Sequence, residues 1–161
     1  MSAHSLVPDW GVVARAIHLL AVVVWIGGVW LVTMVLLPGM RKKPPMEWLA
    51  QFTAIERRFA PQARVALLLT LLSGLYMLER YDLWDRFAHA SFWWMHLMVV
   101  LWLIFAVLLL VEPLVLRKTL AERAARDPEA TLARMIRLHR ILLALALLVI
   151  FTAVGGSDGL F

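Results

Sequence analysis

Two intervals constrain this chain more than any other feature. Between Arg15 and Arg41, and again between Arg86 and Glu112, 25 residues pass without an Asp, Glu, Lys or Arg. Each interval is long enough for a helix to cross about 30 Å of hydrocarbon at about 1.5 Å per residue. A further run, Ile141–Ser157, has 17 such residues, and Arg140 can reach outward to lengthen it. Val65–Leu78 has only 14, but Phe59, Ala60 and Ala63 extend it and Arg64 can snorkel. With 63% of 161 residues hydrophobic, a soluble domain would lack the polar shell it needs. The chain therefore reads as an integral membrane protein: an all-α, up-down-up-down four-helix bundle forming one domain over 1–161. Its spans are expected near 12–37, 60–80, 91–113 and 139–156.

Basic residues orient the bundle. Arg41, Lys42, Lys43, Arg57, Arg58 and Arg64 follow the first span, and Arg117, Lys118, Arg123, Arg126, Arg134, Arg137 and Arg140 follow the third. That is 13 of the 16 basic residues on one side, which the positive-inside rule makes cytoplasmic. The N- and C-termini and the Asp82–Ser91 loop are then expected outside, on the periplasmic side of a bacterial inner (plasma) membrane. Trp10, Trp84, Trp93, Trp94, Tyr76 and Tyr81 gather at that outer boundary as an aromatic belt. The N-terminus lacks a basic region ahead of its apolar run, so the first helix is expected to stay in the protein. The formal charge of +5 comes from basic residues wedged between apolar runs, which points to lipid headgroups and not to nucleic acid. The absence of cysteine excludes disulfides, zinc–thiolate sites and iron–sulfur clusters.

The inner loops carry structure of their own. Leu49, Phe52, Ile55 and Phe59 recur at helical spacing opposite Glu47, Gln51 and Arg58. This predicts a short amphipathic helix over 46–59 lying on the cytoplasmic surface and ended by Pro61. Asp127-Pro128-Glu129 predicts a helix start, with Asp as N-cap and Pro at the first position.

An ionisable side chain inside a span is costly and is by default a functional candidate. His4 and His89 fall in the outer tail and loop, and His139 at the inner end of the last span, where a headgroup or loop contact is expected. His18 and His96 lie one turn inside the outer boundary of the first and third spans. These spans are diagonal partners in an up-down-up-down bundle. Two imidazoles at one depth suit a haem iron with two axial ligands, or one copper ion; the bland alternative is that each bonds a backbone carbonyl or a serine. Gly27, Gly28, Ser73 and Gly74 spare bulk where a flat ring needs room, although small residues also let bare helices pack closely. Arg15 and Arg80 stand where they would meet haem propionates or lipid phosphates. Met95, Met98 and Met77 near the same end supply thioethers suited to Cu(I), with Met77 and Met98 the copper candidates, though methionine in an apolar helix is usually packing.

Together these residues resemble a known family. His18-Leu-Leu-Ala-Val-Val-Val-Trp25-Ile-Gly27-Gly28, ending in Leu37-Pro38, resembles the opening of the CopD (copper resistance D) superfamily, which includes the HemJ type of protoporphyrinogen oxidase. Glu56-Arg57-Arg58-Phe59, then Thr70 and Ser73-Gly74, resembles the approach to its second helix, and Trp94-Met95-His96-Leu97 the histidine-bearing start of its third. The resemblance implies haem b for the HemJ branch and copper handling for the CopD branch, with His18 and His96 as cofactor ligands. HemJ-type proteins carry a lysine two residues after the third-helix histidine, where this chain has Met98, and a further C-terminal segment. Protoporphyrinogen oxidation is therefore not expected.

Three functions follow as expectations. The first is a haem b protein passing electrons near the outer face, with quinone or a periplasmic redox protein as partner. The second is copper binding or transport with a periplasmic copper partner. The third is a cofactor-free membrane accessory subunit, alone or in an oligomer. No serine–histidine–acid set, phosphate loop or carboxylate pair points to hydrolytic or phosphoryl chemistry.

Overall fold

The computed structural model describes residues 9–111 and 117–160, and His4, Glu112 and Pro113 lie outside them. Among the described residues the chain is helical, with no strand. α1 runs as α-helix over Trp10–Leu31, passes a π-helical turn at Val32–Leu36 and continues through Leu37–Met40. α2 is Pro45–Arg80, α3 Trp93–Val111, α4 the short Arg117–Arg126 and α5 Pro128–Ser157. Trp10–Met40, Pro45–Arg80, Ala90–Leu110 and Pro128–Ser157 are each long and apolar enough to cross a membrane.

α1 lies along α2 and α3 along α5. Contacts of α2 with α3 and of α1 with α5 close the ring, leaving α1 and α3 diagonal. The middle of the bundle is packed by Ala21, Trp25, Ile26 and Val29 of α1 against Leu67, Leu101, Phe105, Leu143 and Ala146. Trp25 and Phe105 meet edge to face across the diagonal at 4.8 Å. Outward-facing side chains are large and apolar, with Leu20 65%, Val23 67% and Phe151 61% exposed. Such a surface on the four long apolar helices is one that lipid, not water, covers.

Glycines seat aromatic rings in the seams. The Tyr81 hydroxyl occupies the space beside Gly11, the Phe59 ring that beside Gly28, and the buried Trp94 indole that beside Gly156. Trp94 is thus a packing residue between α3 and α5 and leaves the expected aromatic belt. Trp10, Tyr76, Tyr81, Trp84 and Trp93 remain exposed.

The predicted surface helix over 46–59 is instead the first part of α2, which continues through Pro61 for 36 residues, about 54 Å. Pro61 removes one backbone donor, and the Gln62 side chain donates to the carbonyl of Arg58 at 3.1 Å within the same turn. The apolar face expected to lie in headgroups is covered by protein. Trp48 and Phe52 are buried with Leu37, Met40, Ala124, Leu132 and Ile136 in a second cluster at the arginine-rich end.

A proline is also absorbed in α1. Pro38 has no N–H for the carbonyl four residues back, and its ring would crowd that carbonyl. The π-helical turn just before it, closed by the Leu37 N–H on the Val32 carbonyl, widens the backbone there, and the rod continues.

At the other predicted helix start, Asp127 caps α5 by accepting from the Ala130 N–H at 3.0 Å, with Pro128 in the first turn. Asp127→Ala should cost about 1 kcal/mol of stability, read as a lower unfolding midpoint in a detergent titration, and Asp127→Asn much less.

Candidate functional site

His18 sits one face of α1 away from lipid, half-buried against α2. Gly74 makes the place for it: a Cβ there would stand 3.4 Å from the imidazole Cε1. Ser73, one residue earlier, uses its single hydroxyl proton on the Leu69 carbonyl. Its oxygen is therefore the acceptor for His18, at 3.1 Å from Nδ1. That assignment puts the proton on Nδ1 and leaves the lone pair on Nε2. A ring nitrogen held by a neighbour in this way is how metal-binding imidazoles are oriented. Met77 is four residues beyond Ser73, hence on the same face of α2, and is half-buried. An apolar groove of about 330 Å³ along Trp10, Val13, Ile17, Leu69, Leu72 and Tyr76 has Ser73 in its lining.

His96 has other company. Its ring is exposed and meets Phe87 edge to face at 5.3 Å. Met95 is buried in the helix packing, and Met98 is half-buried at the edge of the central cluster. Arg15 is exposed, and Arg80, also exposed, lies 6.0 Å from the Tyr81 ring centroid. His89 pairs with Asp85 at 3.1 Å on the exposed turn before α3.

These positions bear on the haem expectation. Gly28 holds the Phe59 ring, Gly74 holds His18 itself, and nothing lies within 4 Å of a Cβ at Gly27. Of the glycines expected to make room for a porphyrin, only Gly28 is occupied by another ring, and the two imidazoles have different partners, Ser73 and Phe87. These positions give no support to a porphyrin held between His18 and His96.

A second polar cluster was not anticipated as a site. A cavity of about 140 Å³ lies between α1, α2, α3 and α5 toward the arginine-rich end, lined by Trp25, Phe52, Glu56, Phe59, Phe105 and His139 among others. His139 donates from Nδ1 to the Met135 carbonyl at 2.9 Å and stands edge-on to Phe52 at 6.3 Å. It is a bundle residue and not the headgroup contact expected. The spacing of Leu132, Ile136, His139 and Leu143 on one helical stripe carried that signal, since the three leucine and isoleucine positions are all buried.

The fold and its intramembrane histidines define a polytopic helical membrane protein. The family model for CopD, copper resistance protein D, matches residues 53–155, from within α2 to the end of α5. The chain belongs to the CopD family, which fits a copper-related membrane protein. Ser73, Gly74, Met77, His96 and His139 fall inside the matched segment and His18 before it. No curated protein and no solved structure matches the chain.

Proposed function

We propose that this protein handles copper as cargo, binding Cu(I) through His18 at the end of the bundle opposite the arginine-rich loops. The observation that carries the reading is the His18–Ser73 contact, which turns an unprotonated Nε2 into a ready ligand. Family membership supports copper as the ion. The donor chemistry agrees: imidazole and the thioether of Met77 are soft enough for Cu(I), which accepts few ligands. Among the described residues no group of three or more His, Cys, Asp or Glu could hold a metal ion, so the proposal rests on His18 and Met77 as donors. In this reading the arginine-rich loops face the cytoplasm, and His18 meets copper brought by a periplasmic carrier at a bacterial inner membrane.

The test is Cu(I) titration of the detergent-purified protein under reducing conditions, in competition with bicinchoninate. One Cu(I) per chain is expected. His18→Ala should abolish binding, and Ser73→Ala, which frees the imidazole to rotate, should weaken it by about tenfold. Cu(I) affinity unchanged in His18→Ala would end the proposal. An absorption spectrum of the same sample reads haem directly, and a Soret band lost in His18→Ala would return the site to iron.

A further inference from the structure

Trp25 is 3% exposed, and its Nε1–H is the one buried side-chain donor or acceptor without a hydrogen-bond partner among the described residues. Leaving such a donor unpaired costs about 1–3 kcal/mol. Trp25 lines the 140 Å³ cavity together with Phe52, Phe59 and Phe105, Glu56 and His139. A cavity of about this size in an apolar setting accommodates a single benzene ring. Leu138, 49% exposed, belongs to the same lining, so the cavity reaches the lipid-facing surface.

The polar groups narrow the occupant. The indole N–H asks for an oxygen acceptor. His139 spends its Nδ1 proton on Met135, so its Nε2 can accept but not donate. A planar, lipid-soluble molecule that carries both an acceptor oxygen and a hydroxyl donor complements these two groups and the aromatic lining.

We infer that this cavity is a binding site for a single-ring quinol headgroup, with one oxygen accepting from Trp25 Nε1–H and a hydroxyl donating to His139 Nε2. The ring lies among the phenylalanines and enters from the bilayer past Leu138. The site is separate from His18 and does not depend on copper.

The experiment is ligand-observed NMR titration of the full chain in detergent with methylhydroquinone, kept reduced by ascorbate and free of copper. Saturable binding is expected. Trp25→Phe, which removes the donor and keeps most of the bulk, should weaken it at least fivefold. Ala63→Leu, which fills the cavity from α2, should abolish it. Absence of saturable binding to the unaltered protein overturns the inference, as does unchanged affinity in Trp25→Phe. Displacement by benzoate at lower concentration than by phenol also overturns it, by making the site anionic in preference. Because no copper is present, failure here leaves the His18 proposal standing, and failure there leaves this one.

Discussion

Gly156→Leu is expected to destabilise the protein by about 3 kcal/mol, the largest single effect of any substitution outside the polar sites. The Trp94 indole lies where the new Cβ would be, and Trp94 is 7% exposed, so the ring has nowhere to go without parting α3 from α5. In membranes, close approach through small residues is a main source of helix association, because lipid offers no hydrophobic drive between helices. Gly28→Leu makes the instructive comparison. Phe59 crowds that site just as closely, but Phe59 is half-buried and borders the 140 Å³ cavity, into which its ring can swing. Its cost should be smaller. Unfolding by SDS titration of both variants measures the difference. The double variant Gly156→Leu with Trp94→Leu should recover at least 1 kcal/mol, since contacting residues couple by about that much. Equal, small losses in the two glycine variants would show that these seams are not set by the seats.

Arg64→Met should cost about 2 kcal/mol and loosen α2 from α3. Arg64 donates from Nε to the Leu109 carbonyl at 3.1 Å. That carbonyl would ordinarily take the N–H four residues on, but residue 113 is proline and has none to give. In hydrocarbon an unsatisfied carbonyl cannot turn to water, so the arginine serves a backbone group and is not simply reaching for the headgroups. Arg64→Lys keeps a donor on a long stem and should restore about half of the loss. The same unfolding titration reads it, and hydrogen exchange at the C-terminal end of α3 should rise in Arg64→Met alone. A Met variant as stable as the parent would mean that the carbonyl has another partner.

The architecture was legible because it rests on local signals. Charge-free runs mark the four long apolar helices, and Asp127-Pro128 marks the start of α5 by its own chemistry. What could not be read is decided between helices. A tryptophan on a helix end reads as an interfacial anchor until Gly156, 62 positions away, is seen to receive it. The 46–59 face is amphipathic whether lipid or protein covers it, and only the fold shows Leu37, Met40 and Ile136 doing so. Pro61 reads as a stop because propensity penalises it, and burial of Trp48 and Phe52 on one side and Ala63 and Leu67 on the other outweighs that penalty. Among the site residues, His18 stood out by the cost of burying it. Ser73 was singled out only for its small size beside Gly74; that it is the serine partner of His18 depends on how α1 meets α2. Trp25, Glu56 and His139 come from three helices and meet only when the bundle closes.

The widened turn in α1 also acts as a phase correction. Eight residues of straight α-helix would carry Leu37 about 80° around the axis from Val29, toward lipid. The π-helical turn takes up roughly one extra residue, or about 100° of winding, and brings it back. Val29, Thr33 and Leu37 consequently all face protein, and Leu37 and Thr33 are both 0% exposed. One rod thereby serves two cores whose natural periods would not otherwise agree, the first around Trp25 and the second around Met40. The length of this span is for that reason adjustable in one direction only: losing one residue there would leave a straight α-helix of the same phase, whereas losing a second would rotate one end of the helix by about 100° relative to the other.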